Sequence, residues 1–198
     1  MTAVQGLVLK TAPTVEPVSL ADMRTHLRVD SADEESLISA TIMAARRYAE
    51  IQTWRAFVQQ TWELSLDEFP NGDGTIELPK PPLLQVNSVK YLDTLGVLTT
   101  LNAANYRVDI ASEPGRLTPA YGLTWPDVRS LTAAVVINYN AGYGTTAADV
   151  PMPLRQAIKI LAAHWFEVRE PVVEGHIVSD VPLSIDDLLS SYRMYEVQ

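Results

Sequence analysis

Phe57-Val58-Gln59-Gln60-Thr61-Trp62-Glu63-Leu64-Ser65-Leu66-Asp67 is the stretch where the hydrophobic period of the chain changes. Val58, Trp62, Leu64 and Leu66 fall on one side of an extended backbone, and Gln59, Thr61, Glu63, Ser65 and Asp67 fall on the other. Alternation of period two marks a half-buried β-strand. The segments between Ser19 and Thr53 have the period of helices instead, so the chain is of mixed α+β class and its sheet region opens at this point.

Upstream, an extended lead containing Pro13 and Pro17 runs into Ser19, and Asp22 three residues later completes a capping-box-like start. The spacing predicts a helix over 20–28 with Leu20, Met23 and Leu27 on one face. Ser31 with Glu34 repeats the pattern, and Asp33, Glu34 and Glu35 place negative charge where a helix dipole favours it. This predicts the longest helix, over 32–53. Its apolar stripe of Leu37, Ile38, Ile42, Ala45, Tyr48, Ala49 and Ile51 is wider than one packing neighbour requires. Arg46, Arg47 and Arg55 lie toward its end, where the dipole favours cations.

Downstream, Asn71-Gly72-Asp73-Gly74 is a turn, and Thr75–Leu78 reads as the returning strand of a hairpin, ended by Pro79, Pro81 and Pro82. Val86–Leu92 and Val97–Leu101 form a second strand pair, Tyr106–Ile110 and Arg116–Thr118 flank a Glu113-Pro114-Gly115 turn, and Ala133–Asn140 is the clearest strand. Residues 57–141 are therefore an antiparallel β unit. Gly142-Tyr143-Gly144 leads back to helix; Pro151 and Pro153 set its start, and Leu154, Ile158, Leu161, Trp165 and Val168 form its stripe before Pro171. The span 171–183 reads as an arm, and Ser184 with Asp187 starts a short terminal helix carrying Leu188, Leu189 and Tyr192.

The 198 residues are 47% hydrophobic and 20% charged, an ordinary globular balance. No cysteine is present, which excludes disulfides, thiolate metal sites and cysteine nucleophiles. No run approaches the ~20 apolar residues of a spanning helix, and Met1–Thr14 lacks the apolar core of a signal peptide, so the expected default compartment is cytosolic. A net charge of −9 argues against a free-standing DNA-binding or membrane-surface protein.

Motifs for chemistry are weak. His164 and Glu167 share a helix face, but no second histidine accompanies them, and His26 beside Asp22 and Asp30 reads as a half-exposed surface residue. There is no nucleophile elbow and no phosphate loop, and Gly142-Tyr143-Gly144 reads as a hinge. No catalytic, cofactor-binding or metal-ligating residue is assigned. The terminal Tyr192-Arg193-Met194-Tyr195 cluster has the residue types that anchor interfaces, against the plainer reading of a helix folded back on its own core.

Read in order, Pro17-Val18-Ser19-Leu20, His26-Leu27-Arg28-Val29-Asp30, Asp33-Glu34-Glu35 and Thr61-Trp62-Glu63-Leu64 follow a familiar sequence. It continues through Leu78-Pro79-Lys80-Pro81-Pro82-Leu83, Tyr106-Arg107-Val108, Pro114-Gly115-Arg116-Leu117, Tyr139-Asn140-Ala141-Gly142-Tyr143-Gly144, Val150-Pro151, Ile158 and His164-Trp165-Phe166-Glu167-Val168-Arg169-Glu170. Over nearly its whole length the chain resembles the head-tail connector (adaptor) proteins of tailed bacteriophages and the equivalent part of gene transfer agent particles. It departs from them at Thr53-Trp54, where Thr-Gly is common.

The resemblance implies a structural protein of the particle neck, assembled in the bacterial cytoplasm, without catalytic activity and without a cofactor. Residues 1–56 and 142–198 would form a helical bundle core of about four helices with a C-terminal arm, and 57–141 a β insertion between the second and third helices. The implied partners are the portal protein, a tail-side stopper or terminator protein, and identical subunits in a ring expected to number twelve. DNA would pass through without specific binding, eased by acidity multiplied around the ring, and no membrane is involved. Leu188, Leu189, Tyr192, Arg193, Met194 and Tyr195 are the candidate portal contact, with removal of 182–198 expected to leave the fold intact; Leu37, Thr41, Ala44 and Tyr48 are the candidate subunit contact. Two other classes stay open on sequence alone: a small hydrolase with a carboxylate pair between helices and β unit, and a regulatory module binding one partner one-to-one.

Overall fold

In a computed structural model, which describes residues 6–31, 33–168 and 183–194, the change of period at Phe57 separates two compact units. The helical unit holds Thr14–Val58 and the described residues from Gly144 onward. Its first helix, α1 (Leu20–Leu27), starts as its sequence requires, with the Asp22 N–H donating to Ser19 Oγ at 3.0 Å. The long helix α2 (Glu35–Thr53) begins later than the expected residue 32. Ser31 is engaged locally instead: its hydroxyl accepts from the Asp33 N–H and donates to the Asp33 carboxylate, so it caps a bend rather than the helix. Helices α3 (Met152–Glu167) and α4 (Leu183–Ser190) complete the unit.

Met23, Ile38, Ile42, Ala45, Ala49, Leu154, Ile158, Leu161, Ile185 and Leu189 are each at most 2% exposed and form the shared core of the four helices. Each large member contributes about 1.5–3 kcal/mol by burial. Within this unit a charged node is buried as well. Arg46 Nε and Nη2 donate to the two oxygens of Glu16 at 2.7 and 3.3 Å, and its Nη1 donates to Glu50 Oε2 at 2.8 Å. The other Glu50 oxygen accepts the Phe57 N–H at 3.0 Å, at the residue where the helical period ends. Burial alone would lower the guanidinium pKa; the hydrogen bond and charge of Glu16, with the charge of Glu50, outweigh it and hold the pKa above its ordinary value. Arg46 thus serves a buried ion cluster, not the exposed dipole-complementing role expected of it. The difference arises because the carboxylate of Glu50, one turn later on the same face, draws it inward.

The β unit comprises the described residues up to Pro13 together with Gln59–Tyr143. Five antiparallel strands, β1 (Gly6–Thr11), β2 (Gln60–Leu66), β4 (Leu83–Leu92), β5 (Leu98–Thr100) and β8 (Val135–Ala141), lie in the order β1-β2-β8-β4-β5. A second sheet orders β3 (Ile76–Leu78), β7 (Gly115–Pro119) and β6 (Tyr106–Asp109) as β3-β7-β6. Strand β8 is central because Val135, Ile137, Tyr139 and Ala141 are all fully buried. Burial raises the pKa of the Tyr139 hydroxyl, which donates to the Pro79 carbonyl at 2.8 Å.

Two expectations are corrected here. The lead is a strand belonging to the sheet, not part of the helical residues 1–56: Leu7 stands opposite Leu64 and Leu9 opposite Trp62, covering what would otherwise be an open edge of β2. The β3 segment does not return along β2 as a hairpin; it pairs with β7, because β8 takes the place beside β2 over seven residues, Gln60–Leu66. The strand pairs around Asp93–Gly96 and Glu113–Gly115 form as expected.

Replacing Arg46 by Ala removes the guanidinium that bonds both Glu16 and the buried Glu50 and is expected to cost about 3–5 kcal/mol in urea unfolding with unchanged denaturant slope; a loss below about 1 kcal/mol would contradict the role given to the node. Asp149 supplies a pH test. The Thr146 N–H and hydroxyl both donate to its carboxylate, at 2.8 and 2.9 Å, and hold its pKa below the usual range. A depressed folded pKa stabilises above the unfolded value of about 3.9 and loses that contribution as pH falls through the folded value. Asp149→Asn should therefore be less stable at neutral pH and show a shallower acid decline than the parent, read by thermal melts across pH.

Candidate functional site

The terminal helix α4 presents two faces. Ile185 and Leu189 are fully buried in the helical unit, whereas Leu188 is half-exposed. After Ser190 the chain turns and is held along the end of α2. Arg55 Nε donates to the Tyr192 carbonyl at 2.6 Å, Arg55 Nη2 reaches Met194 Sδ at 3.5 Å, and the Met194 N–H donates to the Thr53 carbonyl at 3.1 Å. Arg193 pairs with Asp186 at 2.9 Å on the exposed side of α4. Of the residues singled out for a portal contact, Leu188, Tyr192, Arg193 and Met194 keep half-exposed side chains, Leu189 belongs to the core, and Tyr195 lies outside the described residues. The arm at 171–182 lies outside them too. Removing 182–198 would strip Ile185 and Leu189 from the core, so the expectation that the fold survives that deletion is corrected.

The candidate subunit contact on α2 is split in the same way. Leu37 is 38% exposed and Ala44 is exposed. Thr41 is half-buried with its hydroxyl donating to the Ile38 carbonyl, and Tyr48 packs edge-on against Trp165 of α3, ring centroids 5.8 Å apart. The exposed side of α2 is shifted around the helix from that set, to Met43, Ile51 and Trp54, which the stripe of apolar residues only partly indicated. Trp54 ends α2 at φ 59°, the left-handed region. For a residue with a side chain this conformation costs about 1–2 kcal/mol.

In the β unit, the side of the five-stranded sheet opposite its buried residues carries an uncharged polar network. Gln85 donates to Asn87 at 2.9 Å, Asn87 donates to Asn138 and Asn140 at 2.8 and 3.0 Å, and Thr61 donates to Asn140 at 3.0 Å. A separate aromatic cluster closes the loop before β8: Phe69 stacks on Trp125 at 4.8 Å, and Trp125 Nε1 donates to the Gly74 carbonyl at 2.7 Å. Among the described residues, no group of three or more His, Asp or Glu side chains is placed to hold a metal ion, and no helix is long and apolar enough to cross a membrane. His26 is exposed and His164 half-exposed near the end of α3.

The complete arrangement, helices interrupted by this β unit, matches solved structures over almost its entire length. A chain from the neck of an empty gene transfer agent particle, computed with C6 symmetry, superposes with a TM-score of 0.78 at 28% identity, covering 98% of this chain and 97% of the other. The chain has the fold of a gene transfer agent neck protein. A chain from the virion of the native particle matches with a TM-score of 0.79 at 25% identity and 97% coverage of both. A third, from the native neck computed with C12 symmetry, gives 0.74 at 26% identity, covering 96% of this chain and 97% of that one. These neighbours agree with the connector resemblance read from the order of the sequence motifs. No protein-family model and no curated protein matches the sequence.

The two faces of the terminal segment can be told apart by truncation of single side chains. Leu189→Ala should lower stability by about 2–5 kcal/mol. Arg193→Ala, which removes only an exposed pair, should cost under about 1 kcal/mol. Equal losses in thermal melts would contradict the placement of Leu189 in the core and Arg193 at the surface.

Proposed function

We propose that this chain is a structural head-tail connector in the neck of a tailed phage or phage-like particle, standing in a ring of identical copies below the portal and prolonging the DNA channel toward the tail-side proteins. The observation that carries this reading is the end-to-end likeness to neck chains of gene transfer agent particles, whose coverage of 96–98% takes in the helices and the β unit together. The C6 and C12 symmetries with which neighbouring necks were computed support a ring of identical copies, for which we propose twelve. A closed ring of this kind needs two unlike faces on each subunit. The half-exposed Leu188, Tyr192, Arg193 and Met194 are the surface we assign to the portal, and the net charge of −9 per copy favours passage of DNA over its retention. The work done is mechanical, by shape and contact, with no substrate transformed.

Electron microscopy of the purified chain mixed with purified portal protein tests this. Rings of the chain capping one end of the portal are expected. A chain that stays single beside intact portals, or that forms a one-to-one complex with another protein and no ring, would overturn the reading.

A further inference from the structure

The outer face of α2 is apolar along its length and open to solvent. At 100° per residue, Ala40, Met43, Arg47, Ile51 and Trp54 form one row of about 21 Å, directly away from the buried Ile38, Ile42, Ala45 and Ala49. Met43 is 53% exposed, Ile51 62% and Trp54 45%, with Leu37 at 38% near the row's start. A helix with one buried side ordinarily carries charge on the other; here the row holds one charged residue, Arg47. Met, Arg and Trp are the types concentrated in interfaces. Trp54 adds an independent observation. It holds a left-handed conformation that a glycine would adopt without strain, so a large aromatic side chain is kept at the one position of the row where the backbone disfavours it.

We propose that this row is the surface that seats a neighbouring copy of the chain, with Trp54 as its anchor; the proposal rests on the ring reading above. Two observations commit it to a second copy. The neighbouring necks are computed with C6 and C12 symmetry, which repeats a chain around an axis and brings unlike faces of successive copies together. Charge is complementary as well: Arg47 makes no ion pair among the described residues, while the exposed carboxylates of Asp22 on α1 and Asp187 on α4, on other helices of the same unit, make none either. An arginine on one face and unpaired carboxylates elsewhere suit a heterologous contact.

The test uses the full chain with purified portal protein, comparing the parent with Trp54→Gly and Met43→Glu. Trp54→Gly, which relieves the backbone while giving up the covered part of the side chain, should stay folded by circular dichroism, yet lower the fraction in rings by at least about tenfold, the scale of one anchor residue. Met43→Glu should melt as the parent does and fail in the same way. Because the chain has no cysteine, Ile51→Cys offers a single thiol; its reaction with a maleimide should slow severalfold when rings form, because the seated neighbour covers it. Normal rings from Trp54→Gly and Met43→Glu, with the Ile51→Cys thiol reacting as fast in rings as outside them, would overturn the proposal while leaving the ring reading standing. Normal rings that no longer hold the portal would assign the face to the portal and also overturn it. A parent chain that forms no ring would overturn the ring reading and this proposal together.

Discussion

Glu50 holds the helical unit together at the point where the chain stops being helical. One carboxylate oxygen accepts from Arg46, which is itself clamped by Glu16 from the segment before α1, and the other accepts the Phe57 N–H. The segment before α1, the second half of α2 and the chain just past its end are thereby tied by charge-assisted bonds around the buried Arg46 and Glu50, where each is stronger than at the surface. The arrangement also carries a cost, since buried ions lose their hydration, and it is tolerated because every partner is present. A helix that would otherwise fray at its C-terminus is given a fixed exit.

Much of this was legible in the sequence. Ser19 with Asp22 specified the start of α1, and the even-numbered apolar residues from Trp62 to Leu66 specified which side of β2 is buried. Val135, Ile137 and Tyr139 on one face marked Ala133–Asn140 as the clearest strand, and the order of short motifs led to the connector resemblance. What was hidden was pairing over distance. Nothing local in Gly6–Thr11 distinguishes a strand from an extended lead, because its partner lies some fifty residues away and only the match of Leu7 and Leu9 with Leu64 and Trp62 makes it one. Likewise, the short run Ile76–Leu78 satisfies any antiparallel edge, and tertiary context chose β7. The charge of Arg46 was visible, but its burial depends on Glu16, thirty residues earlier.

The candidate contact surfaces were legible to a similar degree. Composition marked the terminal segment as unusual, and the structure separates its two halves: Leu189 is core, while Tyr192 is held by its carbonyl on Arg55 and Met194 by its N–H on Thr53 and its sulfur on Arg55, both side chains staying half-exposed. A segment held this way is already ordered, so a contact made through it would cost less conformational freedom. The width of the apolar stripe on α2 correctly indicated more than one neighbour, but helical periodicity alone could not say which edge of the stripe faced outward. Packing of Tyr48 on Trp165 settles that edge and moves the exposed row toward Met43 and Ile51.

Cryo-electron microscopy of particles purified from cells that make this chain is the most direct test of a neck role. The account predicts a ring of copies of this fold, helices and β unit together, in the density between head and tail. Particles with complete necks in which this chain is absent, the protein remaining wholly in the unassembled fraction, would contradict it.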